Sequence, residues 1–501
     1  MTSKIINQFY FLFPLLISSQ VSAQSFDQYV DTLVGPAADL VSNIIFFELT
    51  LGGNSFPLIV VWLIAAGVFF TVYLRFINIT GFKHAYELLR GKHPDSGSSG
   101  ELSYFQALAT AVSGTVGIGN IGGVAIVISL GGPGAIFWLI IAGFVGMTTK
   151  FVESVAGVMF RNINSDGSVS GGPMYYLEKG IGNLGYQKFG KFLGTFYALG
   201  IVIGCLGIGN MFQSNQAFEQ FLFISGGEDS FFADKGWLFG GLLAALVGLV
   251  ILGGIQSIAK VTSKLVPFMT VFYVIGSLIV LAINFDKIPW AFTAILSQAF
   301  TPTSMAGGVI GVMILGFQRA AFSNEAGIGS AAIAHSTMKT DNPIKAGFIG
   351  LMEPFIDTVV ICTMTGLVII TTIYSPDIAS QGLQGIQLTS KAFSSSISWS
   401  AGPLSFIAIL FAFSTMIAWS YYGLKGWTYL VGESFYAESL FKIVFCIFVA
   451  IGCMVNLGSI LKLSDALIFV VAIPNLLGLY LLSPRIKLAL ELYKSERRIS
   501  P

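Results

Sequence analysis

Eleven stretches of this chain, each long and apolar enough to cross a bilayer as a helix, constrain its fold more than any other feature. A spanning helix needs about 20 predominantly apolar residues. Such stretches fall at about 56–76, 105–130, 135–159, 192–223, 237–256, 265–284, 304–334, 346–374, 403–430, 440–457 and 463–482. Lipid offers no water to backbone N–H and C=O groups, so a segment this apolar must bond its backbone internally. The expectation is an all-α integral membrane protein. Composition agrees: of 501 residues, 54% are hydrophobic and 10% charged, against roughly 25% charged in a soluble domain. A net charge of +1 gives no electrostatic footprint for nucleic acid. Cys205, Cys362, Cys446 and Cys453 lie apart without C-x-x-C spacing, and His84, His93 and His335 form no H-E-x-x-H. Neither a disulfide frame, a metal cofactor nor a soluble catalytic site is expected.

The N-terminus has the three parts of a secretory leader. Lys4 is the basic start, Phe9 to Ile17 the apolar core, and Val21-Ser22-Ala23 a small-residue cleavage site. Residues 1–23 read as a signal peptide, with an uncleaved anchor helix as the alternative. Cleavage leaves the mature N-terminus outside, followed by an amphipathic periplasmic segment, 24–55. Alternate loops then fall on opposite faces, and basic residues should gather in the cytoplasm. The loops 75–92, 161–191, 260–264 and 339–345 and the tail 485–498 carry seventeen; the external loops carry Lys235, Lys287, Lys391 and Lys462. Leader and charge bias agree on a multi-pass protein of a bacterial inner (plasma) membrane. Its C-terminus, the basic tail 484–501, is cytoplasmic.

Setting the first span and its loop (56–100) aside, ten spans remain, five in 101–284 and five in 304–483. An odd number per unit makes the second unit enter from the opposite face. The fold class is therefore a 5+5 inverted-repeat transporter with one additional N-terminal helix, eleven helices in the mature chain. In such architectures the binding site lies at mid-membrane in corresponding interrupted helices. The first span of each unit is interrupted here. One carries SGTVGIGNIGG (Ser113 to Gly123) and the other ILGFQRAAFSNEAGIGS (Ile314 to Ser330). Glycine costs about 1 kcal/mol against alanine in a helix interior, so several together favour unwinding. Unwound backbone in a membrane must line a cavity or be buried in protein. Its free N–H groups attract a carboxylate and its free carbonyls a small cation. Helix packing is the competing use of small residues, and it suits Gly131, Gly132 and Gly143 better.

SGTVGIGNIGGVA (113–125), LGGPGAIFW (130–138), SGGPMYYLEKG (170–180), LGIGNMFQSN (206–215), LGGIQSI (252–258) and FSNEAGIGSA (322–331) together resemble the alanine or glycine:cation symporter family. The likeness covers nearly all of 56–485. It implies a leucine-transporter-type fold and sodium-driven uptake of alanine or glycine, with sodium as coupling ion. Carried over by motif, the N–H groups of Ile118 and Gly119 meet the substrate carboxylate, beside Thr115 and Asn120. The carbonyls of Ser113 and Val116 face sodium, completed by the hydroxyls of Ser414 and Thr415. Leu315-Gly316-Phe317 resembles an unwound segment, setting Phe317 against the substrate side chain and the Gly316 carbonyl near its amine. Trp419, one turn after Thr415, would shrink the pocket to suit a small amino acid. Met211, Gln213 and Asn210 are within reach.

Lys150, Glu153, Arg319, Glu325, Glu353 and Asp357 fall in or near apolar stretches, where charges usually face the interior and pair. Lys150 and Glu153, three apart, can pair on one helical face. Arg319 and Glu325 are gate candidates. The motif at 113–123 holds no carboxylate, which favours sodium over a proton. Proton coupling through Glu325 or Asp357, and less so a passive channel, are the alternatives. The partners are a small neutral amino acid, sodium and the bilayer; a monomer suffices.

Overall fold

Apolar helices occupy every stretch that the hydropathy pattern marks. The structure, a computed structural model, describes residues 35–36, 38–51, 54–92, 99–165, 167–301, 308–376, 378, 385–455 and 458–499. The leader, 1–23, and the residues up to 34 lie outside the described residues. A short antiparallel hairpin, β1 (Glu48–Leu51) and β2 (Asn54–Pro57), leads into α1 (Leu58–Tyr73). There follow α2 (Tyr104–Thr115), α3 (Val124–Gly131), α4 (Gly134–Met159), α5 (Gln187–Ile224), α6 (Gly236–Ile251) and α7 (Gly254–Ile283). The remainder comprises α8 (Ile288–Gln298), α9 (Gly308–Asn324), α10 (Ser330–Ser336), α11 (Pro343–Thr372), α12 (Ile386–Ser396), α13 (Ala401–Val431), α14 (Phe435–Gly452) and α15 (Gly458–Ile499). Among the described residues seven of these are long and apolar enough to cross a bilayer, and α2 with Gly119–Gly131 makes an eighth, bent by 52°. The sequence expects eleven spans. α1 and α6, at 16 residues each, and α9, at 17, fall short of the length that criterion requires.

The bend after α2 has a local cause. Ser103 opens the helix with a capping box: its hydroxyl accepts from the Gln106 N–H at 3.2 Å and its own N–H donates to Gln106 Oε1 at 3.1 Å. Helical bonding stops at Thr115, Val116 is extended (ψ 93°), and the chain resumes as a π-helical turn over Gly119–Gly123. The glycines of the motif thus coincide with a real interruption.

In the second unit the interruption lies elsewhere. α9 runs unbroken through Leu315, Gly316, Phe317, Gln318 and Arg319, where unwinding was expected. Gly316 is there for packing: a Cβ would stand 2.7 Å from both the Ala135 carbonyl oxygen and Trp138 Cβ on α4. The chain breaks at Glu325–Gly329, where Glu325, Gly327 and Gly329 take φ of +56°, +95° and +88°. Left-handed residues cannot continue a right-handed helix.

Other sequence expectations also shift. Lys150 bonds Glu353 at 3.0 Å rather than its helical neighbour Glu153. His335 is fully buried in α10, its Nε2 3.6 Å from Glu353. Two helices, α8 and α12, fill segments that read as loops. α15 carries the last span and the basic tail as one helix. Arg161 clips one end of the bundle. Its guanidinium donates to the carbonyls of Ser336 and Met338 (2.7 Å each) and of Ser99 and Thr340 (2.8 Å each).

The packing account makes a paired prediction, read as melting temperature in detergent. Gly316→Ala should be destabilised, as overpacking costs about 1–3 kcal/mol. Gly241→Ala, where no atom lies within 4 Å of a built Cβ, should melt at or above the parent.

Candidate functional site

The interrupted helix leaves backbone groups that must find partners, and three other helices supply them. The Gly117 N–H donates to the side-chain oxygen of Asn120 at 2.9 Å, so the motif partly caps itself. The Ser113 carbonyl accepts from the Thr415 hydroxyl at 3.1 Å, and the Gly114 carbonyl from the Trp419 indole at 3.2 Å, both on α13. In return the Ser113 hydroxyl donates to the Ser414 carbonyl at 2.6 Å. Beyond the break, the Asn120 carbonyl accepts from Thr365 on α11 (3.0 Å) and the Ile121 carbonyl from Thr389 on α12 (2.9 Å). The N–H groups of Ile118 and Gly119 stand at the start of the second half, where a helix has no partners of its own one turn back.

Several sequence-predicted residues do converge. A Cβ on Gly117 would lie 2.7 Å from Thr415 Oγ1 and 3.3 Å from Gln213 Oε1. That Gln213 oxygen is buried and accepts no hydrogen bond among the described residues. Trp419 is fully buried against Gly209. Val116 and Thr115 are buried at the break, Thr115 bonding back to the Val112 carbonyl at 3.3 Å. Ser414 and Thr415 each donate to the Phe411 carbonyl as well, at 2.9 and 3.0 Å.

Others do not converge. Gly316 faces α4, as above. Phe317 stacks towards Trp138, with ring centroids 6.4 Å apart. The aromatic that faces the motif is Phe322, one and a half turns on, 3.8 Å from a Cβ on Gly119. Met211 packs on Val455 and Gly452 at the α14 end, and Asn210 donates to the Phe445 carbonyl at 2.8 Å. Arg319 does not pair with Glu325: its guanidinium lies 5.9 Å from the Phe322 ring, and its Nε has no hydrogen-bond partner among the described residues. Glu325 instead accepts from the Trp419 indole at 3.1 Å and from the Ser330 hydroxyl.

The residue that sequence reasoning placed nowhere near the motif is Asp357. Its fully buried carboxylate accepts from the Asn120 amide, from Ser323 at 2.8 Å and from Thr358 at 2.7 Å. Its membrane position was visible in the sequence; its contact with Asn120, 237 residues away, was not. Chemically, the site offers helix-start N–H groups, hydroxyl and carbonyl oxygens, an unpaired amide oxygen and a buried carboxylate. The first suits a carboxylate ligand, and the oxygens suit a hard monovalent cation or an amine.

Gly209 tests the seating of Trp419. A Cβ there would fall 2.3 Å from Trp419 Cγ, so Gly209→Ala must displace the indole from Gly114 and Glu325. The expected outcome is a tenfold or greater loss of transport in proteoliposomes and a changed tryptophan emission; parent-like values for both would show that the slot is not needed.

Comparison with known proteins adds the following. A family model described as the sodium:alanine symporter family matches residues 43–500. The chain is 40% identical to the sodium/alanine symporter AgcS of Methanococcus maripaludis, over 87% of this chain and 95% of that protein. It is 32% identical to the probable sodium/glutamine symporter GlnT of Bacillus subtilis, over 94% and 92%. Among solved structures it is similar to MhsT in complex with L-phenylalanine, with a TM-score of 0.55 and 15% identity, covering 77% of this chain and 89% of that one. That likeness establishes a leucine-transporter-type fold and nothing finer.

Proposed function

The chain belongs to the sodium:alanine symporter family, a family of multi-pass transporters and not of enzymes, and from that premise we propose that it couples sodium entry to uptake of alanine or glycine. The observation that carries the reading is the broken helix held to α13 by the Thr415–Ser113 and Trp419–Gly114 bonds, with Gln213 left unpaired beside Gly117. Sodium sits among the carbonyls of Ser113 and Val116 and the hydroxyls of Ser414 and Thr415. These hydroxyls can turn from the Phe411 carbonyl to present a lone pair. The substrate carboxylate meets the Ile118 and Gly119 N–H groups, flanked by Thr115 and Asn120, and Gln213 Oε1 takes its ammonium. Phe322 replaces Phe317 as the wall for the side chain. Trp419 fills the space that a larger substrate would need. That favours an amino acid of the size named for AgcS over the glutamine named for GlnT.

The same reading takes the ten spans after α1 as two inverted units, 101–284 and 304–483, with eleven helices crossing. The mature N-terminus lies outside, the C-terminus lies in the cytoplasm, and a monomer is sufficient. Transport proceeds by one bundle rocking against the other. Glu325, through its bond to Trp419, is the gate residue of the pair first considered; Arg319 is not. Asp357 gives specific support to a second reading. It carries no ion pair among the described residues yet touches Asn120 and Ser323, a position from which a proton could be carried.

Uptake of labelled alanine into proteoliposomes decides between the readings. An inward sodium gradient should raise uptake well above the level at equal sodium, while a pH gradient without sodium should not. The reverse pattern makes the proton reading the correct one. Thr415→Val keeps shape and removes the hydroxyl, so its half-saturating sodium concentration should rise about tenfold or more with melting near the parent's; an unchanged sodium dependence removes Thr415 from the ion site.

A further inference from the structure

At the end of the bundle clipped by Arg161, a cavity of about 400 Å³ opens between the end of α4, the segment 178–187 and α15. None of its lining residues belongs to the proposed substrate or sodium site. Its walls include Arg161, Lys179, Arg485 and one acid, Glu178. Glu178 is engaged by the Tyr429 hydroxyl at 2.7 Å, and Arg161 by its four carbonyls. Lys179 leans on the Asn162 side chain. Arg485 is exposed, with the Phe160 ring beneath its guanidinium at 5.1 Å and no ion pair among the described residues.

A second, independent feature begins at the same rim. α5 starts at Gln187, itself a wall of the cavity, with no side-chain cap and no acidic residue in its first turn. Lys188 and Lys191 stand exposed there without ion pairs among the described residues. From that start Phe189, Phe192, Phe196, Leu199 and Ile203 are all exposed, at spacings of three and four that place them in one stripe along the helix. A positively charged recess thus sits at the head of a continuous apolar track. Free anions need only the first; a zwitterionic lipid gains nothing from the net charge. Only an amphiphile with an anionic head matches both.

We propose that this recess and stripe bind one anionic phospholipid. Its phosphate lies between Lys179, Arg485 and the start of α5, and an acyl chain lies along Phe189 to Ile203. Basic recesses between helices at a membrane surface attract such headgroups. The proposal rests on membrane embedding alone, not on the identity of the transported substrate.

Native mass spectrometry of the detergent-purified full chain tests it, with dioleoyl phosphatidylglycerol and dioleoyl phosphatidylcholine as probes. One phosphatidylglycerol per chain should bind in preference to phosphatidylcholine. Each charge removed should weaken it about fivefold, so Lys179→Gln with Arg485→Gln should lose roughly 25-fold, while Lys287→Gln on the segment between α7 and α8 stays at the parent level. Millimolar inorganic phosphate should not displace the lipid. Equal binding of the two lipids, parent-like affinity in the double variant, or displacement by phosphate would each overturn the proposal. Should the double variant melt early in lipid-free detergent, Arg485→Gln with Lys188→Gln, both on exposed residues, replaces it with the same expectation.

Discussion

The structure turns on one constraint: backbone groups released by an interrupted helix in lipid must be bonded to something, since each one left unpaired costs several kcal/mol. The break at Val116–Ile118 is tolerable because α13 delivers a hydroxyl and an indole to the Ser113 and Gly114 carbonyls of the turn that ends there, while hydroxyls of α11 and α12 hold the Asn120 and Ile121 carbonyls of the turn that follows. This dictates which helices surround it. α13 must lie close enough for Thr415 and Trp419 to reach, and Gly114 and Gly117 on the broken helix and Gly209 on α5 admit that closeness, since a Cβ at each would collide with an α13 side chain. The glycines therefore serve twice, weakening the helix and admitting the groups that repair it.

Such repair is incomplete by design of the geometry: Gln213 Oε1 stays unpaired within reach of Gly117. A buried acceptor without a partner costs about 1–3 kcal/mol. A ligand that supplies the missing donor recovers it, which is why an ammonium is the fitting occupant.

Much of this was legible in the sequence, and the parts that were not share a cause. Hydropathy located the helical stretches because lipid leaves an apolar segment one way to bond its backbone. The motif at 113–123 located the first break because glycines there outnumber helix formers. The second break was misplaced by about ten residues because a glycine in sequence carries no label for its use: Gly316 relieves a contact with α4, whereas Gly327 and Gly329 carry positive φ. Phe322 was missed for the same reason, following from the misplaced break. Asp357 and the Lys150–Glu353 pair depend on which helices become neighbours, and residue types and local spacing do not encode that. Arg319 and Glu325 illustrate the limit further. Opposite charges six apart on what looked like one element face different neighbours, because the helix ends at Asn324 and Glu325 itself takes a left-handed conformation.

The two breaks are not equivalent, and their difference assigns them different tasks. The first is bonded by neutral oxygens and an indole, and retains an open acceptor. The second is closed by protein alone: the Gly327 N–H donates to Glu153 at 2.9 Å, and Asn475 bridges the Gly327 carbonyl (2.8 Å) and Glu153 (2.9 Å). Glu325 is held by Ser330 in its left-handed conformation. These bonds between protein groups fix the angle between α9 and α10, while the second carboxylate oxygen of Glu153 has no hydrogen-bond partner among the described residues. Trp419 connects the two, since its one N–H is shared between the Gly114 carbonyl at the first and Glu325 at the second. Any movement that parts α2 from α10 must give up one of these bonds. The single indole of Trp419 is thus a direct hydrogen-bonded link between the two breaks.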